Sequence, residues 1–594
     1  MGWNLPPVVL RATGFLAVTL FLLLPALAPA AVTDLRVAID VSGSMKHNDP
    51  HNLRAPALRL LVGLIPKGQR AGVWTFGRYV NMQVRYGRVD ARWKALARAE
   101  AGNIHSRGLF TNIEAVLNKA SFGWQRPDPR FRRHLLLLTD GMVDIDRDAA
   151  VNRASRERIL KDILPRLKRA GVQVHTVALS ANADLELLAT LSRVTGGWHE
   201  QVEDADGLQR VFLRLFEKAS PMDNLPLDGN RFRVDNSVTD MTLLVFRKPG
   251  STATALRTPD GKSWSAARHP DTVSWDEEQG FDLITVKKPR AGEWLLQADI
   301  DPDNRVMVLT NLRLKLASLP NVLMPGDRFR VQASLAQKGE RITSQGFLKL
   351  VRFDMQLVPP GGPPRPLPLA DNGKAPDERA GDGIYSGRLA GRIESGVQEI
   401  VVRARGATFE RLQRHLVQVF DSAARIDTHA QEDGTFRLTI TPHAGLLLPG
   451  SVAVTALRGD GTPIELTQHG EAWQAQLADP TVGEVIAVEV RGQRYDGREL
   501  VMSSDHPLQG VAPVQAAAVP AVDAGPTEHE PEAPAEEEGH GDAPGEETPG
   551  SWVTVLVYVL VANVVLFGGG FGGYFLWRRL RRKKQAAEDA EVQV

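Results

Sequence analysis

The chain has 594 residues, 71 Lys and Arg against 70 Asp and Glu for a net charge of +1, and no cysteine. That length exceeds what one hydrophobic core serves, so several domains are expected. The balanced charge gives no ground for a nucleic-acid partner, and the missing thiols exclude disulfides.

Residues 1–30 read as a secretory signal. Arg11 is the basic n-region, Gly14 to Leu24 the apolar h-region, and Ala28-Pro29-Ala30 a small-residue cleavage site. Residues 32–220 alternate strand-like apolar runs with helical patterns. The strand candidates are Leu35–Ile39, Ala71–Phe76, His134–Thr139 and Val172–Leu179, with Val80–Tyr86 as an antiparallel edge. Helical spacing covers Leu53–Leu64, Asn112–Lys119, Ala154–Ala170, Leu185–Val194 and Leu208–Lys218, with Pro165 expected to kink the third. This β–α alternation predicts an α/β doubly wound, Rossmann-like domain with helices on both faces of a mostly parallel sheet.

In such a sheet, ligands bind beyond the carboxyl ends of strands where strand order reverses. Asp40-Val41-Ser42-Gly43-Ser44 succeeds the first strand candidate, and Thr139-Asp140-Gly141 ends the third. Between them, Gly108-Leu109-Phe110-Thr111-Asn112 opens a helical pattern. Convergence of the three loops would assemble two carboxylates and three hydroxyls, an all-oxygen set suited to Mg²⁺ or Mn²⁺.

These segments resemble the metal-ion-dependent adhesion site of von Willebrand factor A domains. The resemblance covers about Val32 to Ser220. It implies that Ser42 and Ser44 ligate the metal directly and Thr111 directly or through water. Asp40 and Asp140 would then act largely through water, with one position open for a carboxylate of a protein partner. Elsewhere in the domain, Asp144, Asp146 and Asp148 alternate but lack the Gly and final Glu of an EF-hand, and read as a solvated loop. His199-Glu200 lacks the second histidine of a zincin. No nucleophile constellation is present, so no enzymatic activity is expected.

After Pro221, short β-branched runs recur between turn residues, among them Met241–Arg247, Val306–Leu314, Gly346–Phe353 and Val397–Ala404. They suggest about three β-sandwich modules, at 221–318, 319–425 and 426–510. Phe281 to Val286 with Gly292-Glu293-Trp294 resembles the Ig-like modules that come after A domains in some adhesion proteins, with Trp294 expected in the core. Asp371, Asp377 and Asp382 lie in a motif similar to one in β-domains of calcium-activated chloride channel regulator proteins and many bacterial surface proteins. The resemblance makes them candidate Ca²⁺ ligands, and a turn network capping backbone N–H groups is the other reading.

Residues 511–550 are rich in Pro, Ala, Glu and Gly and read as a disordered stalk. Trp552 to Trp577 is about 26 uncharged residues, so 551–577 is expected to span a membrane once. Arg578, Arg579, Arg581, Arg582, Lys583 and Lys584 place the tail 578–594 in the cytoplasm, a type I topology. The overlapping pairs Gly568/Gly572 and Gly569/Gly573 would let a helix partner approach closely. With neither cysteine nor an Asn-X-Ser/Thr acceptor, a bacterial inner-membrane protein with its bulk in the periplasm is expected. The sequence thus supports metal-dependent capture of a protein presenting Asp or Glu, in envelope assembly or adhesion. The alternative is an accessory subunit of a membrane transporter or channel.

Overall fold

Five runs rich in apolar or β-branched residues and one short return form a six-stranded sheet: β1 (Val32–Asp40), β2 (Arg70–Phe76), β3 (Val80–Arg88), β4 (Phe131–Thr139), β5 (Val172–Ala178) and β6 (His199–Gln201). The computed structural model describes residues 31–508, apart from 203–206, 325–326, 390–392, 432–433, 479–480, 482 and 496. The expectations on 1–30, 511–550, 551–577 and 578–594 lie outside the described residues. Among the described residues, no helix is long and apolar enough to cross a membrane.

The strand order is β3-β2-β1-β4-β5-β6, parallel except for β3. The chain winds one way from β1 and the other way from β4, so the order reverses between these two neighbours. Alternate residues of each strand serve opposite faces. Leu35, Val37, Ile39, Leu136 and Leu138 pack with α2 (Arg54–Leu64), α3 (Ala91–Ala101) and α8 (Leu208–Ala219). Ala38, Leu135 and Leu137 pack with α4 (Ile113–Ala120), α6 (Leu164–Arg169) and α7 (Leu185–Thr195). A short turn, α1 (Met45–Asn48), comes after β1.

The helix expected over 154–170 is three pieces: α5 (Ala149–Arg158), a π turn (Ile159–Ile163) and α6. Pro165 has no N–H for the ladder and its ring crowds the preceding turn, so the backbone widens just ahead of it. The unexpected α3 is Ala- and Arg-rich and buries only Trp93, Ala97 and Ala101, too narrow an apolar stripe to show as periodicity. Asp90 caps it, accepting the Trp93 N–H at 2.7 Å.

The rest of the described chain is β-sheet modules. Val306–Leu314 is two strands in different sheets, parted at Asn311, and the second, Leu312–Leu316, packs in the second β module ahead of the boundary expected at 319. Gly346–Phe353 is not one strand: a helical turn, Gln345–Leu348, precedes the strand Arg352–Val358. Its Leu348 N–H bonds back to Ser344 O at 2.9 Å, and the turn brings Phe347 and Leu348 together over the module core. One ten-stranded sheet crosses position 319, because β7 (Asp223–Leu225) pairs with Arg305–Thr310 on one side and Glu410–Val419 on the other. Trp294 is buried, stacked on Phe232 and edge-on to Trp264.

Phe246, Phe281, Leu283 and Met307 of the first β module belong to the same apolar cluster as α2 and α8. Ion pairs frame it: Arg98 with Asp276 at 2.5 Å, Arg59 with Glu278 at 3.2 Å, and Arg305 with Glu217 at 3.0 Å. Gly63 lets this contact close, since a Cβ there would lie 2.2 Å from Leu283 Cδ2.

This packing makes Gly63 a sensitive position. Gly63→Ala gains up to ~1 kcal/mol of helix propensity but overpacks Leu283 at a cost of ~1–3 kcal/mol, so its urea midpoint drops. Leu283→Ala destabilises by ~2–5 kcal/mol, and the double variant loses less than the sum because the second change vacates the space the first invades. A pH dependence is expected from His134 and His175, buried with Nδ1 and Nε2 3.1 Å apart. Burial, then the Lys218 charge, lowers His175 to about 3, and burial holds His134 well below the usual range. The unfolded chain binds more protons at these sites between about pH 3 and 6.5, so stability falls as pH drops through that window. His175→Gln should flatten the pH dependence of the melting temperature there.

Candidate metal centre

β1 and β4 are parallel neighbours, with Ile39 opposite Leu138, so the residues just beyond them meet at one edge. Asp40 Oδ1 accepts the Ser42 backbone N–H at 2.8 Å, and Thr139 Oγ1 donates to Asp40 Oδ2 at 2.5 Å. Ser42 Oγ and Ser44 Oγ are 3.1 Å apart. Ser44 Oγ donates to Asp140 Oδ1 at 2.9 Å, and Asn48 Nδ2 donates to Asp140 Oδ2 at 2.8 Å. Asp40, Ser42, Thr111 and Asp140 are buried while Ser44 is exposed, so the cluster has a dry floor and an open lip.

Thr111 arrives on the third loop. Gly108 N–H bonds Val41 O at 2.7 Å, an approach only glycine permits because a Cβ would stand 2.8 Å from that oxygen. Phe110 takes a left-handed conformation, φ 62°, which turns the chain so that Thr111 N–H reaches Asp144 O at 2.6 Å. Strain of this kind, ~1–3 kcal/mol, persists where surrounding contacts over-determine it. Thr111 Oγ1 then lies 3.4 Å from where a Gly141 Cβ would stand, beside the Asp140 turn.

Sequence reasoning misses the support beneath. Arg54 is fully buried; its Nε donates to Asp49 Oδ2, one Nη to Asp40 O and the other to Ser106 Oγ, each at 2.6 Å. Asp49 also accepts the Leu53 N–H at 2.6 Å. The available signal is an arginine at the head of a largely apolar helix, preceded by an aspartate within reach of its first N–H groups. Thr139 stands out in the sequence only as part of its motif, and its hydroxyl proves to orient Asp40.

Burial raises the Asp40 carboxyl to about 6; hydrogen bonds from Thr139 and Ser42 oppose the shift and the nearby Asp140 charge adds to it. Two carboxylates and three hydroxyls around one opening suit a hard divalent cation, whose charge would reverse the burial penalty on Asp40. The loops around the cluster expose Tyr79, Leu109 and Met142, at 73%, 68% and 60%, alongside the charged Lys46, Arg78 and Arg107.

The other candidates do not gather. Asp371 accepts the N–H groups of Gly381, Asp382 and Gly383 at 2.5 to 3.2 Å; Asp377 accepts that of Gly373 at 2.6 Å, and Asp382 that of Ile384 at 2.9 Å. Their oxygens cap turns instead of converging on Ca²⁺. Asp146 and Asp148 accept backbone N–H groups at the start of α5. Among the described residues, no group of three or more His, Asp or Glu could hold a metal ion. The two-carboxylate cluster at Asp40 falls below that count by its chemistry, because hydroxyls supply the remaining oxygens.

Arg54→Met should leave the Asp49 carboxylate buried and unpaired, at a cost of ~3–5 kcal/mol. The chain should melt earlier, and adding Asp49→Asn should recover part of the loss, as thermal denaturation would show.

Residues 34–212 match the family described as von Willebrand factor type A domain. The chain is 22% identical over 390 residues to calcium-activated chloride channel regulator 1 of Bos taurus, covering 59% of this chain and 39% of that protein. It is also 22% identical over 197 residues to a von Willebrand factor A domain-containing protein of Dictyostelium discoideum, covering 32% and 19%. The chain thus spans well under half the length of these curated relatives. Among solved structures, a von Willebrand factor type A protein from Catenulispora acidiphila is similar at 15% identity and a TM-score of 0.27, over 52% of this chain and 64% of that one. Residues 34–212 of this chain are a von Willebrand factor type A domain, succeeded by several β-sheet modules.

Proposed function

We propose that this protein captures a protein partner through a divalent cation held at Asp40, Ser42, Ser44, Thr111 and Asp140. The observation that carries this reading is the connected set of Asp40, Ser42, Ser44 and Asp140 oxygens at the strand-order reversal, partly buried and open on one side. Ser42, Ser44 and Thr111 would hold the ion by neutral oxygens. Asp40 and Asp140 would supply charge, Asp40 fixed by Thr139 and the Ser42 N–H. Bound there, the cation supplies an electrophilic centre for a carboxylate. Tyr79, Leu109 and Met142 would exclude water from that contact, so the partner's Asp or Glu is flanked by apolar side chains. The role is binding, with no chemical step.

The hard oxygen donors favour Mg²⁺ or Mn²⁺. The sequence features of residues 1–30 and 551–594 support a single-pass protein of a bacterial inner membrane with its modules in the periplasm. Envelope assembly or adhesion fits that placement. A second reading, an accessory subunit of a membrane transporter or channel, is favoured by the similarity to a chloride channel regulator. In that case Gly568, Gly569, Gly572 and Gly573 would pack against a helix partner.

Calorimetric titration with Mn²⁺ or Mg²⁺ should show one site on the parent chain and binding weakened tenfold or more in Ser42→Ala and Asp140→Ala. Retention of partners from solubilised membranes should be lost with EDTA and with both variants. Partner binding indifferent to all three would sink the proposal. Replacing 552–577 by a generic apolar helix separates the readings: capture survives, subunit assembly does not.

A further inference from the structure

At the opposite edge of the α/β sheet from the oxygen cluster, a cavity of about 770 Å³ lies between the start of β4 and β5, the end of α8 and the second β module. β4 runs from one site to the other, eight residue steps or about 26 Å. Seven Arg or Lys side chains line the cavity against one carboxylate, Glu217, which is already paired with Arg305 at 3.0 Å. Such an excess of one sign between folded modules is costly, because like charges repel and those away from the exposed mouth, Arg133 above all, lose water.

Several groups register that cost. Arg133 and Arg414 each keep a buried Nε–H with no hydrogen-bond partner among the described residues, although Arg414 Nη1 pairs with Glu399, outside the cavity lining, at 2.8 Å. Burial, with the Arg313 charge, lowers Arg132, and burial, with Arg313 and Arg132, lowers Lys315. Burial lowers Lys218 well below its usual range, although its Nζ reaches Asn321 Oδ1 at 2.6 Å. Trp198 N–H donates to His175 Nδ1 at 3.2 Å, so neutral His175 carries its proton on Nε2 and donates to His134 Nδ1 at 3.1 Å. His134 is left with an Nε2–H donor on the same wall. Carbonyl oxygens meet part of this set, Arg126 O and Ala170 O on Arg133 Nη1 and Leu416 O on Lys218 Nζ, and the two guanidinium Nε–H groups and the His134 Nε2–H remain as donors without a partner among the described residues.

We propose that the cavity is a binding site for a small multivalent oxyanion, bearing phosphate or carboxylate groups, held by Arg132, Arg133, Lys218, Arg313, Lys315 and Arg414. Guanidinium forks match both groups bidentately, and the volume exceeds what a single inorganic phosphate fills. Because the lining comes from the von Willebrand factor type A domain and the second β module together, the anion bridges them. The site neither uses nor requires the oxygen cluster at Asp40.

The test is thermal denaturation and calorimetry of the full chain with pyrophosphate, with citrate, and with sodium chloride at matched ionic strength. The chain is first stripped of metal with EDTA and then dialysed free of it, so that metal chelation plays no part in any arm and no second polycarboxylate competes with the probes. Pyrophosphate or citrate at a hundredfold its dissociation constant should raise the melting temperature by about 3 °C or more beyond the chloride control. The responding anion assigns the phosphate or the carboxylate class. The double variant Arg313→Ser/Lys315→Ser changes two exposed side chains, so it should fold and melt cooperatively while binding tenfold or more weakly. Mn²⁺ titration of that variant in the absence of EDTA reports whether the other edge is intact. An equal shift with chloride, no shift with either anion, or undiminished binding by the folded variant would overturn the assignment.

Discussion

A parallel strand cannot turn back on its neighbour; it must cross over a face of the sheet and re-enter from the same end. Every parallel strand therefore delivers its carboxyl end to one edge. In this chain that constraint brings Asp40 and Asp140 together from distant stretches of sequence, because β1 and β4 are neighbours. The reversal of strand order between them leaves a crevice that no crossover helix fills. The oxygen cluster and the seating of the Thr111 loop beside it both depend on this one pairing.

The same geometry makes the opposite edge a second meeting place. The amino ends of β4 and β5 cluster there, and the second β module packs across them. Strands this buried tolerate charge only at their ends or with full partnering. β1 shows the second case: Arg36 lies between Trp124, Phe122 and Tyr86, paired with Asp34 at 3.1 Å. The cationic cavity shows the first, with its charges incompletely partnered. The two edges thus present opposite chemistry: oxygens at the carboxyl edge, nitrogen donors at the amino edge. The apolar cluster shared by α2, α8 and the first β module fixes how the α/β domain sits on its support, and so which surfaces remain open.

Much of the α/β domain is legible from pattern alone. Four near-continuous apolar runs, an alternating edge and capped helices are local signals, and the elements form where those signals lie. The departures have local causes of another kind. Pro165 widens a helix into a π turn, Asn311 parts a long run between two sheets, and Phe347-Leu348 winds into a turn with the same apolar content as a strand. α3 escapes a periodicity reading because alanine and arginine favour a helix by propensity without marking a face.

Composition and spacing along the chain are enough to mark the strand ends at Asp40 and Thr139, the hydroxyls and carboxylates beside them, and the β-rich character of the chain beyond Pro221. Folding in three dimensions is what sets Arg54 and Asp49 beneath the site, turns the Asp371, Asp377 and Asp382 carboxylates onto backbone N–H groups, carries one sheet from module to module and brings Arg132, Arg313 and Arg414 around a common space. Each of these depends on how side chains are brought together in three dimensions, and one-dimensional spacing carries no information about which distant charges share a cavity.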